Sequence, residues 1–81
     1  MSLIKQPRPV IACLTNADTF PYTLPKECYG ISVLNQGAEL TITLSTGITV
    51  IIPQNTTFED HFFGFKTIDA AGSANFKMEV R

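Results

Sequence analysis

One cluster in the sequence combines acid, base and metal-ligand chemistry: Glu59, Asp60 and His61. A carboxylate beside an imidazole can transfer protons or hold a metal ion, provided that the groups converge. Consecutive residues of a strand point to opposite faces, and on a helical turn they fan apart, so these side chains cannot meet at one metal ion. We therefore interpret the cluster as a solvated polar stretch between Phe58 and Phe62.

The potential thiol nucleophiles are Cys13 and Cys28, and His61 is the sole histidine that could activate either. Nothing in their spacing favours such a pair. The two cysteines lack the CxxC spacing of a redox motif or zinc site and are too few for a disulfide framework, so we expect reduced, structural thiols. Phosphate-binding glycine loops, paired catalytic carboxylates and HExxH motifs are missing as well. The sequence predicts no enzyme, no metal site and no cofactor.

Aromatic side chains offer another kind of site, because exposed rings can form a platform on which sugars or bases stack. The chain has no tryptophan and few basic residues, which makes a carbohydrate or single-strand platform atypical. We expect core packing to use most of these rings and keep an aromatic ligand-binding face as the alternative. The candidates are Phe20, Tyr22, Tyr29, Phe58, Phe62, Phe63 and Phe65.

Length and charge restrict the remaining function classes. The chain has 81 residues with 6 basic and 7 acidic side chains, which allows one small domain and gives no basic patch for nucleic acid. A charge at Lys5 and a proline at Pro7 interrupt the N-terminus before any apolar signal sequence could form. The longest apolar run, Val10 to Leu14, is far too short to cross a membrane. We expect no signal peptide, no membrane partner and no nucleic acid.

The second half of the chain alternates apolar and polar residues with period two, which is typical of strands. Segments 39–45 and 48–52 are the clearest examples. A three-residue loop, Ser45-Thr46-Gly47, opposes Leu44 to Ile48 and, further along, Ile42 to Val50 and Leu40 to Ile52. This register requires a left-handed backbone at Gly47.

Two further hairpins follow from the same reasoning. A Gln36-Gly37 loop opposes Val33 to Leu40, so residues 28–52 are predicted to form a three-strand meander. At the C-terminus, residues 74–80 alternate and are predicted to pair with residues 65–70 across an Ala71-Gly72-Ser73 loop. That register opposes Ile68 to Phe76 and turns Phe65 outward.

Residues 54–64 allow two interpretations. Thr56 and Glu59 could cap a helical turn that places Phe58 and Phe62 on the core, or the segment could be an extended edge strand. The first 27 residues contain four of the five prolines around a short strand candidate, Val10 to Thr15. We interpret them as an arm and a long connection.

The sequence thus predicts an all-β fold, a single small antiparallel β-sandwich or partly open barrel of six to seven short strands with a Pro-rich N-terminal arm. The domain spans residues 1–81, with the arm and connection in 1–27 and the sandwich core in 28–81. The predicted core residues are Leu40, Ile42, Leu44, Ile48, Val50, Ile52, Ile68, Phe76, Met78 and Val80.

Charge is scarce where exposed strands are expected. Between Cys28 and Phe58 the sole formally charged residue is Glu39, although soluble proteins use charged side chains to protect sheet edges. We therefore predict a homo-oligomer or a larger protein assembly that covers this surface. The predicted contact residues lie on an outward strand face and in the arm: Thr41, Thr43, Thr49, Ile51, Pro7 and Pro9.

Several segments together resemble a known type of protein: residues 31–35, the run 40–53, and Thr57 to Asp60 with Phe63. Over residues 28–80 the chain looks like the small β-sandwich virion proteins of tailed bacteriophages and prophages, such as head-decoration, connector, tail and fibre-associated modules. The resemblance implies a non-enzymatic assembly role, in the virion or in the cytoplasm before assembly. It transfers no functional residue.

Overall fold

The computed structural model describes residues 9–81, and the predicted arm residue Pro7 lies outside them. Within the described residues the chain forms strands and loops without a helix. The strands are β1 (Ala12–Thr15), β2 (Tyr22–Asn35), β3 (Leu40–Leu44), β4 (Thr49–Ile52), β5 (Thr56–Ala71) and β6 (Phe76–Val80).

All six strands belong to one antiparallel sheet in the order β1-β6-β2-β5-β3-β4. A flat sheet of this width would keep its edge strands more than about 20 Å apart. The buried cluster nevertheless includes Leu14 from β1 and Ile52 from β4, so the sheet folds over on itself around one core. The long strands β2 and β5 allow this, because their pairing shifts register between Thr23 and Gly30. The all-β prediction is confirmed.

The β3–β4 hairpin has the predicted register. Leu40 pairs with Ile52 and Ile42 pairs with Val50, and the Leu44 amide donates to the Ile48 carbonyl at 2.9 Å. Gly47 has a φ of 94°, the left-handed conformation that the three-residue loop requires.

The predicted three-strand meander is wrong, because β2 does not pair with β3. Ile31 instead lies between Val80 of β6 and Asp60 of β5. Sequential strands are neighbours in only about two-thirds of cases. Here β2 is long enough to pair with two distant strands, and that arrangement buries both Ile31 and Val33.

The predicted hairpin between residues 65–70 and 74–80 is wrong as well. β5 pairs with β2 and β3, whereas β6 pairs with β1 and β2. Phe65, predicted to point outward, is buried opposite Cys28. The register shifts beside this pair change which side chains of β5 face the core, and strict alternation cannot anticipate such a shift.

Two further segments, residues 56–64 and part of residues 9–27, form strands. Residues 56–64 belong to β5, so the strand interpretation is correct and the helical turn is wrong. Residues 9–27, interpreted as arm and connection, supply β1 and the beginning of β2. Pro25 lies inside β2 where the pairing with β5 is interrupted, which is where a strand can accept a residue without an amide hydrogen.

The core contains most of the predicted residues. Ile48 is a correction, since it is 36% exposed at the hairpin end, and Val50 is half-buried. The buried residues that the core prediction lacked are Leu14, Leu24, Cys28, Ile31, Val33, Phe65 and the polar Asn35. Most of them come from segments whose pairing partners are distant in the sequence.

Candidate functional site

The outward face of the β3–β4 hairpin brings together the predicted contact residues of the strands. Thr41 pairs with Ile51, and Thr43 pairs with Thr49. Because the alternate residues of both strands point into the core, these four side chains share the opposite face. The side chain of Ile51 is 59% exposed, which agrees with its predicted outward position. We call Thr41, Thr43, Thr49 and Ile51 the hairpin face.

The hairpin face has no formal charge, and the nearest charged neighbour in the ladder lies on the next strand. Asp69 of β5 pairs with Thr43, and Ala71 pairs with Thr41. The surface therefore grades from an uncharged edge at β4 to a carboxylate at β5. Among the described residues, the candidate Pro9 does not join it, because Pro9 is exposed before β1, at the opposite edge of the sheet.

The free side of β4 adds unpaired backbone groups to this surface. The Leu44 amide donates to Ile48, so Ile48, Val50 and Ile52 direct their backbone groups towards β3 in an antiparallel ladder. Thr49 and Ile51 must then direct their amides and carbonyls away from β3. Among residues 9–81, no strand pairs with β4 on that side.

A second outward face spans β1, β6, β2 and β5. Glu79 lies between Cys13 and Ser32, and Ser32 also pairs with Glu59. This face forms a groove of about 500 Å³ whose other outward residues include Lys77 and Leu34. Arg81 lies at one end, where its guanidinium contacts the Glu79 carboxylate at 2.9 Å and donates to Ser32 Oγ at 3.1 Å.

The aromatic rings pack inward for the most part. The ring centroids of Phe20 and Phe76 are 5.9 Å apart. The ring centroid of Phe62 lies 6.5 Å from that of Phe58 and 6.4 Å from that of Phe65. All of them belong to the core or pack against it. Phe63 differs, with 85% of its surface exposed, and it lines a shallow depression with Ile48 and His61. A continuous aromatic platform is therefore not formed within the described residues.

The acid, base and thiol groups lie apart. His61 pairs with Gly30, Glu59 with Ser32 and Asp60 with Ile31, and the Asp60 carboxylate accepts from the His61 amide at 2.8 Å. Each of these three side chains is exposed, and within residues 9–81 no group of three potential ligands could hold a metal ion.

The two thiols differ in environment. Cys13 is exposed on β1, separated from His61 on β5 by the intervening strands β6 and β2. Cys28 is buried, and its thiol donates to the Lys26 carbonyl at 3.3 Å. Burial raises the pKa of the Cys28 thiol, while the charge of Lys26 opposes this shift. A thiol held protonated in the core is a poor nucleophile.

Asn35 is the buried polar residue that the sequence reasoning missed. Its Nδ2 donates to the carbonyls of Ala38, Ile52 and Pro53 at 2.9–3.1 Å. Its Oδ1 accepts from the Gly37 amide at 3.1 Å and from Ser73 Oγ at 2.7 Å. Asn35 therefore joins the end of β2 to the end of the β3–β4 hairpin and to the β5–β6 loop. In the sequence, the one feature that indicates this role is the position of the asparagine, on the same face of the strand as the apolar residues Ile31 and Val33.

The described part of the chain contains no helix long and apolar enough to cross a membrane. Comparison with known proteins found no matching family model, curated protein or solved structure.

Proposed function

We propose that this protein is a non-enzymatic assembly subunit, a component of a bacteriophage-type virion that acts through contacts with copies of itself and with a larger host structure. The observation that supports the proposal is the position of Ile51, exposed on an uncharged sheet face beside an open strand edge. Residues 49–52 have none of the charged side chains that commonly protect an exposed strand edge.

The energetics favour a partner on the hairpin face. Complete burial of an isoleucine side chain contributes about 1.5–3 kcal/mol. The neighbouring threonines Thr41, Thr43 and Thr49 add no charge that would have to lose its water. The centres of protein interfaces are depleted of charge in the same way.

The virion assignment rests on the resemblance of residues 28–80 to small phage structural modules, together with the all-β architecture. An uncharged outward face is compatible with a protein that is permanently bound in an assembly. Cys13 is separated from His61 by β6 and β2, and the Cys28 thiol is buried whereas His61 is exposed. Among residues 9–81 no group of three potential ligands could hold a metal ion.

The test is the mass of the protein in solution by light scattering, before and after the substitution Ile51→Lys. We expect an oligomeric parent and a folded variant of lower mass, because a lysine at this position brings a charge into the contact. The matched control is Leu34→Lys, since Leu34 is 38% exposed on the opposite, charged face. Leu34→Lys should retain the parental mass.

Two results would argue against the proposal. A parent that remains monomeric at high concentration, alone and with phage structural partners, contradicts an assembly role. Equal effects of Ile51→Lys and Leu34→Lys would show that the hairpin face is not the specific contact.

A second candidate function is a small carbohydrate- or peptide-binding module. The groove of about 500 Å³ over β1, β6, β2 and β5 favours it, because Ser32, Lys77 and Glu79 could bind polar groups beside the apolar Leu34. The strongly exposed ring of Phe63 lies outside this groove, in the depression with Ile48 and His61. Such a module would be monomeric, and a sugar or peptide would raise its melting temperature in a thermal-shift screen.

A further inference from the structure

We infer that the partner at β4 is the β4 strand of a second copy, and that the two strands pair antiparallel about a two-fold axis at Val50. This inference rests on the proposed function and extends it by naming the partner and the register. The pairing would join the sheets of two copies into one continuous sheet.

The backbone of β4 is compatible with this pairing. Thr49 and Ile51 direct their amides and carbonyls to the free side, as the Leu44–Ile48 hydrogen bond requires. In an antiparallel pair centred on Val50, Thr49 of each copy lies opposite Ile51 of the other. Each such pair exchanges both of its backbone hydrogen bonds, so the unpaired groups of both residues are satisfied.

The side chains are also compatible with a two-fold axis, since each side chain meets a copy of the same surface. Residues 40–58 contain no charged residue, so no like charges meet across the axis. On the outer face Ile51 contacts Thr49 of the second copy, which extends the hairpin face across both molecules. On the inner face the half-buried Val50 meets its own copy.

The strand at the other end of the sheet order, β1, is a poorer candidate. β1 pairs with β6, whose outward side chains include Lys77 and Glu79. The residues of β1 are themselves uncharged, but two copies joined through β1 would bring Lys77, Glu79 and their copies onto a shared face. The strand beside β4 presents the uncharged Thr41 and Thr43 instead. Strand pairing at an open edge is an established mode of protein association.

A charge exchange tests the register. Thr49→Glu and Ile51→Lys should each weaken the dimer by about tenfold in dissociation constant, because the Thr49–Ile51 contact occurs twice per dimer. The double substitution Thr49→Glu with Ile51→Lys places opposite charges across both pairs and should bind about tenfold more tightly than Ile51→Lys alone. The control is Thr43→Glu with Ile51→Lys, which has the same net charge. Thr43 lies on β3, away from the edge, so no recovery is expected.

Cross-linking provides an independent measurement that does not depend on weakened variants. In the inferred register the Val50 residues form a pair without backbone hydrogen bonds, with Cα atoms about 4.5 Å apart. That spacing is within the range of a disulfide. Val50→Cys, in a Cys13→Ser background, should therefore give a disulfide-linked dimer on mild oxidation. Ile51→Cys is the control, since its copies would lie about 8 Å apart and should not cross-link.

The outcomes separate this inference from the proposed function. An oligomeric parent with neither charge recovery nor a Val50→Cys dimer overturns the β4 pairing and leaves the assembly function intact. A parent that is monomeric alone but joins phage structural partners also overturns the pairing without contradicting assembly. Charge recovery together with the Val50→Cys cross-link supports both.

Discussion

Asn35 shows how much one buried amide can organise in so small a protein. Its side-chain contacts join the end of β2 to the end of the β3–β4 hairpin and to the β5–β6 loop, and each of its side-chain polar atoms has a partner. Buried polar groups of this kind contribute to specificity when every partner is satisfied and are costly when one is removed.

We expect Asn35→Ala to lower the free energy of unfolding by about 2–4 kcal/mol, because it leaves buried carbonyls without donors. Asn75→Ala is the control, since Asn75 is exposed, and it should change stability by less than about 0.5 kcal/mol. Urea unfolding followed by circular dichroism measures both. Equal losses would show that the Asn35 contacts add nothing beyond a generic substitution effect.

Gly47 makes a purely conformational contribution. Its φ is 94°, and a Cβ built on it would meet no atom within 4 Å, so backbone strain is the sole cost of adding one. We expect Gly47→Ala to destabilise the protein by about 1 kcal/mol. Thr46→Ala should cost less, because Thr46 has no positive φ. Urea unfolding measures the free energy of unfolding of both variants. An unchanged value for Gly47→Ala would contradict the requirement for a left-handed residue in the loop.

At the scale of strands, the β3–β4 hairpin provides a direct test of which face is buried. Ile42 is fully buried and its neighbour Thr43 is exposed. Ile42→Ala should therefore cost about 2–5 kcal/mol, enough to unfold a domain of this size, while Thr43→Ala should cost far less. Thermal unfolding of the two variants gives the comparison. A similar loss in both would mean that the faces of β3 are assigned incorrectly.

The same hairpin shows what a sequence can predict. Its register follows from matching apolar residues across a short loop. The inward positions of Phe76 and Met78 on β6 follow from alternation alone. The partners of β2 and β5 do not follow, because alternation within a strand indicates a face and not a neighbour. Tyr22 pairs with Ile68, a residue far away in the chain, and local patterns contain no information on such pairs.

The candidate contact surface was predictable for a related reason. Burying Leu40, Ile42 and Ile52 forces Ile51 and the threonines outward, whatever strands lie beyond. The free edge of β4 was not predictable in this way, because it depends on which strand ends the sheet. Asn35 was missed because its partners come from loops whose positions only the complete fold determines.

At the scale of the molecule, charge is distributed unequally between two outward faces. The face over β6 and β2 includes Lys77, Glu79 and Arg81, whereas the hairpin face is uncharged. In the proposed assembly the charged face would remain in contact with water, and residues of the hairpin face would make the contacts between copies. Of the 13 charged residues in the chain, 6 basic and 7 acidic, none belongs to the hairpin face.

The last prediction concerns residues 1–9, which the sequence predicts to be part of an arm. Among residues 9–81 the most N-terminal residue of the buried core is Leu14, and the described strands begin at Ala12. Deleting residues 1–9 should therefore change the free energy of unfolding by less than about 0.5 kcal/mol. In the proposed assembly the same deletion should lower the oligomeric mass, because extended, proline-rich residues can lie across a neighbouring subunit at a small entropic cost. Light scattering and urea unfolding of one variant test both statements. An unchanged mass would exclude the arm from the contact, and a large loss of stability would show that residues 1–9 belong to the fold.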